Sequence, residues 1–445
     1  MKPRKLTRRQ FARALRQGRG AAFLHVKEYG DKDKGIKEEI LNACLNNLVY
    51  DRQCETERSA WLATIIDRTG FTSEYVTALL AALRQGEHTG KDLEQQINLS
   101  RQLFERGYFE FAGTIAPLTR QKPLPFTALE VRCSLVEMFG LPGFARAAEL
   151  MLDEQDSQWG IHDLYEYTAD AIDSEDSVRE YLEANASNNS KLAAVFKIIE
   201  EEKARSTHTH SNVEKNKPDL AKVLEKIEQE TTLLRYPGYC VRFGKSASQE
   251  DLETVLNRIE TTSNEIKLNC YLAVFWCRAM PRLPENSREL LKSDNKTIHR
   301  ALCRALGNTS SFQVRELALS ILLAGGAENI ITALRILEKS CTEDIWLSLS
   351  AHLSSLKTPE QIHSAGLAIR NIYWDMDTHV DPGPLLWLCE LTPCSLCRHS
   401  ALRKLMAEGL APESIVFEAQ WDANYEMRFA ARAHLANQTL NCSAN

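Results

Sequence analysis

Val314-Arg315-Glu316-Leu317-Ala318-Leu319-Ser320-Ile321-Leu322 is the stretch from which the architecture can be read. Apolar residues stand at 314, 318, 319 and 322, and a basic residue follows the first of them. Offsets of four return a side chain to the same face of an α-helix, so this stretch predicts a helix with one buried side. The pattern recurs as Cys397-Arg398 followed by Ala401-Leu402 and Leu405, and as Met427-Arg428 followed by Ala431 and Leu435, with Arg432 in the second apolar slot. Ile298-His299 with Leu302-Cys303 and Leu306 carries histidine in the basic slot. Looser copies begin at Val131-Arg132 and Ile36-Lys37.

A helix with one apolar stripe must bury it against another, and a recurring stripe predicts stacked helix pairs. The spacing resembles the HEAT-repeat family, whose second helix carries Val-Arg followed by Ala and Leu, often with Asp in the preceding turn. Asp294 and Asp422 stand near that place, whereas Ser311-Phe312-Gln313 has no such residue. The resemblance implies an all-α, HEAT-like α-solenoid of stacked antiparallel helix pairs. It also implies a concave surface that grips another protein. The copies at 299 and 315 are too close for two full repeats, so one of them is expected to be spurious.

With 445 residues the chain exceeds the size at which a single core stops growing, and two lobes are expected. The polar run Arg205–Pro218 has no apolar periodicity and ends at a proline, so it reads as a linker. The expected division is an N-terminal lobe at 1–204, a linker at 205–218 and a C-terminal HEAT-like lobe at 219–445. Thr7-x-x-Gln10 is a capping box for a first helix that Gly18 can end. Ser246 or Ser248 is expected to cap a helix ahead of Glu250-Asp251, and Asp173-Ser174-Glu175-Asp176 to start another. Asp51, Thr89-Gly90 and Pro123/Pro125 are read as breaks between helices.

Hydrophobic residues make up 44% and charged residues 26%, which suits a folded globular chain. No run approaches the roughly 20 apolar residues that span a bilayer, and the N-terminus has too short an apolar segment for a signal core. Membrane association is not expected. Of the twelve cysteines, Cys44, Cys133, Cys270, Cys277 and Cys303 sit among Leu, Val and Ala, and most of the twelve read as reduced thiols. A cytoplasmic location is the expectation.

Charge is uneven. Lysines and arginines number 54 against 60 acids, a net charge of −6, yet Met1–Gly20 holds eight basic residues and no acid. Arg8, Arg9, Arg13 and Arg16 are therefore candidates for contact with phosphate or an acidic partner, against the alternative of a solvated helix face. An acidic body with a basic head argues against a general nucleic-acid binder, unless repeat-derived basic residues gather on one surface.

Cys389-x4-Cys394-x2-Cys397-x-His399 offers three soft ligands and an imidazole, the donor set of a tetrahedral zinc site. With Thr392 as N-cap and Pro393 as first helical residue, Cys394 and Cys397 share a first turn. That placement lowers a thiol's pKa and also suits redox chemistry. Cys397 occupies an apolar repeat slot, however, and His399 points to another face, so packing cysteines are the competing reading.

Gly238-x5-Gly244-Lys245-Ser246 has one residue too many for a phosphate loop and is read as a turn. Trp374-Asp375-Met376-Asp377-Thr378-His379 reads as a helix exit, and His208 and His210 as linker residues. No Gly-x-Ser-x-Gly, His-Glu-x-x-His or Gly-x-Gly-x-x-Gly is present. The functional expectation is a non-enzymatic protein-binding scaffold without a cofactor. The alternatives are nucleic-acid binding through the basic head and inner face, or a zinc or redox thiol protein.

Overall fold

The computed structural model describes residues 4–30, 34–50, 58–85, 90–118, 128–153, 158–206, 219–375 and 381–443. Every regular element among them is helical. The chain forms two compact units: Met1–Val213 with Glu413–Asn445, and Glu214–Pro412. The first boundary falls inside the polar 205–218 stretch, of which 207–218 lie outside the described residues. So do Asp51, Thr89, Pro123, Pro125, His208, His210 and 376–380.

Unit 1 contains α1 (Arg8–Gln17), α2 (Gly20–Tyr29), α3 (Lys37–Leu45), α4 (Arg58–Ile66), α5 (Thr72–Gln85) and α6 (Gly90–Phe104). It continues with α7 (Glu110–Leu118), α8 (Ala128–Phe139), α9 (Leu141–Asp153), α10 (Gln158–Ile172), α11 (Glu175–Ala186) and α12 (Ser190–Ser206). Unit 2 contains α13 (Leu220–Gln229), α14 (Gly238–Ser246), α15 (Gln249–Thr261), α16 (Glu265–Val274), α17 (Ser287–Leu290) and α18 (Lys296–Gly307). It ends with α19 (Phe312–Leu323), α20 (Ala327–Ile336), α21 (Glu343–Leu353), α22 (Pro359–Asp375), α23 (Gly383–Leu391) and α24 (Ser395–Ala407). Helices α25 (Glu413–Ala419) and α26 (Tyr425–Ser443) return to unit 1.

The architecture is an all-α solenoid of stacked helix pairs. In unit 2 an unbroken row runs α14, α16, α18, α20, α22, α24, each helix packing on the next, while α15, α19 and α23 cover it from the other side. The repeat copies at Ile298 and Cys397 lie on row helices α18 and α24. Val314-Arg315 lies on covering helix α19, which accounts for its spacing: it is the copy out of register. Row helices pack closely where glycine permits. A methyl at Gly244 would stand 1.9 Å from the carbonyl oxygen of Val274, and one at Gly307 would stand 2.4 Å from that of Arg335.

The C-terminal lobe expected at 219–445 needs correction at its end, because 413–443 pack into unit 1. Arg19 makes a two-pronged ion pair with Glu418 at 2.8 and 2.9 Å. The indole of Trp61 donates to the Trp421 carbonyl at 2.8 Å, and Trp421 stacks on Phe23 with centroids 4.6 Å apart. A methyl on Gly20 would lie 1.9 Å from the Glu418 carbonyl oxygen, so α2 meets this segment with nothing between them. The first helix also follows its sequence. Thr7 and Gln10 form the capping box, and Gly18 ends α1 in the left-handed region at φ 69°. Buried Arg58 donates to the carbonyls of Leu15 and, at 2.7 Å, of Arg16, satisfying acceptors at the end of α1.

Other caps match as well. Ser174 caps α11, and Ser248 caps α15 in a box with Asp251. Gly238–Ser246, expected as a turn, is instead helix α14, with Cys240, Val241 and Phe243 buried. Its apolar side, packed on α16, outweighs the two glycines.

Candidate functional site

The expected zinc ligands are brought together only in part. Cys394 is the N-cap of α24 and Cys397 sits in its first turn. Thr392 closes α23, and its hydroxyl accepts the Cys394 N–H at 3.3 Å. Thr392-Pro393 therefore forms the turn between helices and does not begin the helix, because the Thr392 side chain bonds two residues ahead. His363, on the preceding row helix α22, completes the cluster in place of Cys389 and His399. Its Nδ1 is 3.8 Å from the Cys397 sulfur, and the three ligand atoms lie within 4.8 Å of one another. Cys389 and His399, both buried, are not in this group.

Physical reasons fix this arrangement. Cys397 takes the apolar repeat slot and is fully buried against α22, as its position in the pattern requires. Gly366 lies one turn beyond His363. A methyl there would stand 2.9 Å from Leu388 and 3.7 Å from the Cys397 sulfur. Without that side chain, the α22 and α24 backbones approach closely enough for the imidazole to reach the thiols. The hydrogen bond from the Cys397 side chain, with His363 adding to it, holds the Cys394 thiol well below the ordinary thiol range despite burial. This agrees with its place at a helix N-terminus. A second group, His162, Asp163 and Glu166, is largely solvent-exposed on α10.

The basic head is a packed helix. Phe11, Ala14 and Leu15 are buried, and Arg8, Arg9, Arg13 and Arg16 face outward. Arg8 is held within the unit by Glu38 and Glu39 at 2.6 and 2.8 Å, which raises its pKa. Among the described residues Arg9 and Arg16 form no ion pair. Arg428, the repeat arginine of α26, donates to the carbonyls of Asp422 and Ala423 at 2.8 and 3.0 Å. Those carbonyls belong to the turn that leads into α26 itself.

A groove of about 530 Å³ crosses α18, α20 and α22 in unit 2. Arg300 and Arg304 enter it one turn apart on α18, and Arg335 enters from α20, with Lys339 one turn beyond it. Among the described residues the three arginines make no ion pair. Arg304 lies over the Trp276 ring, 4.7 Å from its centroid, and Trp374, 68% exposed, also lines the groove. Glu338 is the groove's acid. It accepts from Asn371 at 3.1 Å, and burial raises its pKa. His299, next to Arg300 on α18, meets Thr332 at 3.4 Å, and desolvation with nearby Arg335 lowers its pKa.

No family model, curated protein or solved structure matches this chain. The site must therefore be read from its own chemistry. Sequence reasoning missed both His363 and the groove. Linear spacing cannot place His363 beside Cys394, since the two are joined only through the stacking of α22 on α24. The groove did leave a signal: basic residues four apart, 300 and 304 on α18, then 335 on α20 and 339 just beyond its end.

Proposed function

We propose that this chain is a non-enzymatic binding scaffold of the HEAT-repeat kind, cytoplasmic, with its thiols reduced. Its groove across α18, α20 and α22 holds an acidic segment of another protein. The observation that carries this reading is the set of three arginines without ion pairs, converging beside an exposed tryptophan. Guanidinium groups form two-pronged hydrogen bonds with carboxylates, and an exposed indole supplies the apolar anchor typical of interface centres. Stacked helices provide an extended surface on which such a segment can lie.

The same pairing of arginine and tryptophan supports a second reading, a single-stranded nucleic acid gripped through phosphates and stacked bases. The net charge of −6 works against a long polyanion and favours a short acidic stretch of protein. The test is affinity capture of the full chain from its own cells, alongside an Arg300→Glu/Arg304→Glu variant. A stoichiometric protein partner that survives nuclease and is lost in the variant supports the scaffold. Recovery of nucleic acid, with affinity falling steeply as salt rises, favours the second reading. Capture indifferent to the charge reversal removes the groove from both.

A further inference from the structure

We propose that His363, Cys394 and Cys397 bind one zinc ion between α22 and α24, with the fourth coordination position left to water or an incoming ligand. The donor set is the first ground. Two sulfurs and an imidazole nitrogen are soft and borderline ligands that suit zinc and exclude calcium and magnesium. The geometry is the second. Zinc bonds of about 2.3 Å to sulfur and about 2.0 Å to nitrogen place tetrahedral donors roughly 3.5–3.8 Å apart. Cys397 Sγ and His363 Nδ1 already stand at 3.8 Å, and no pair in the cluster exceeds 4.8 Å. Closing on an ion therefore needs side-chain movement of about 1 Å.

The surroundings make the site directional. The thiols are 2% and 0% exposed, whereas His363 is half-buried, so solvent reaches the cluster from the imidazole side. Among the described residues no further His, Cys, Asp or Glu donor joins the three. Three protein ligands plus an exchangeable position is the open pattern of zinc sites, not the closed four-ligand structural one. The ion links two consecutive row helices through ligands more than thirty residues apart. Zinc thus ties the last step of the stack together, independently of the groove.

The experiment uses the full chain, reduced and stripped of metal, titrated with zinc against a chromophoric chelator. Cobalt serves as a spectroscopic substitute. One zinc per chain is expected, with a rise in Tm on loading and a cobalt spectrum showing thiolate charge transfer and tetrahedral intensity. His363→Ala, Cys394→Ser and Cys397→Ser should each weaken zinc binding by about 100-fold or more, whereas Cys389→Ser and His399→Ala should leave it unchanged. His363 is half-buried and its replacement spares the core, so His363→Ala decides the matter if a cysteine variant does not fold. Zinc uptake insensitive to His363→Ala overturns the proposal. Equal loss on Cys389→Ser or His399→Ala, or a reduced Cys394–Cys397 pair that takes up no metal, overturns it as well.

Discussion

Replacing Gly20 with alanine adds one methyl group and sets two effects of opposite sign against each other. Alanine is the better helix former, and at an unobstructed position the exchange stabilises by about 0.5–1 kcal/mol. At Gly20 the new methyl would stand 1.9 Å from the Glu418 carbonyl oxygen, where ordinary contact begins at 3.4 Å. The α25–α26 segment must then retreat by about 1.5 Å, the difference between those distances. Overpacking of this kind costs about 1–3 kcal/mol. The retreat also loosens the Phe23–Trp421 stack, worth about 0.5–1.5 kcal/mol. The clash outweighs the propensity gain, and we expect a net loss of about 2 kcal/mol in the opening free energy of this junction.

Hydrogen exchange read by peptide reports the local opening without requiring two-state unfolding of a two-unit chain. Amides of α2 and α25 should exchange roughly 30-fold faster, since about 1.4 kcal/mol is tenfold, while unit 2 peptides stay unchanged. Gly113→Ala is the control: it lies exposed within α7, with nothing within 4 Å of the added methyl, and should be stabilising. If Gly20→Ala slows exchange as Gly113→Ala does, the close approach of α2 to Glu418 is not real.

Arg58→Ala removes the donor to two carbonyls at the end of α1 and should cost about 3 kcal/mol, read as lost protection of α1 amides. Arg58→Lys should recover only part, because one ammonium cannot reproduce the planar fork. Glu338 has a folded pKa above its unfolded value of 4.5, so its penalty is absent below about pH 4.5 and grows as pH rises through the folded value. Glu338→Gln should therefore stabilise unit 2 at pH 7 and match the parent in acid, as checked by urea unfolding across pH. His299 has the opposite linkage. Its folded pKa lies below 6.5, so stability present above pH 6.5 is lost as pH falls toward the folded value. His299→Gln should flatten that part of the profile.

The helical stack was legible because burial has a period. The apolar slots of the 298 and 397 copies lie under the row as their spacing requires, and Thr7, Gly18, Ser174 and Ser248 announced their caps through local chemistry. Longer-range matters were not legible. Cys389 and His399 are near Cys394 in the chain but outside its cluster, whereas His363 is distant in sequence and within reach in space. Likewise, nothing in the composition of 413–443 shows that these residues pack against Phe23 and Trp61. That choice rests on shape, set by Gly20 and the Trp421 ring.

The return of α25 and α26 to unit 1 has a consequence for the order of synthesis. Every residue of unit 2 leaves the ribosome before Trp421 does. Unit 2 is contiguous and can consolidate while translation continues, whereas the N-terminal unit waits for a closing piece about four hundred codons downstream of Arg19. Tethering across an unstructured stretch of that length would cost about 5 kcal/mol in chain entropy. Prior folding of the intervening unit shortens the effective tether. Until then the Phe23 and Trp61 faces are open to solvent, and a nascent chain stalled before residue 413 should attract chaperones that recognise exposed aromatic surface.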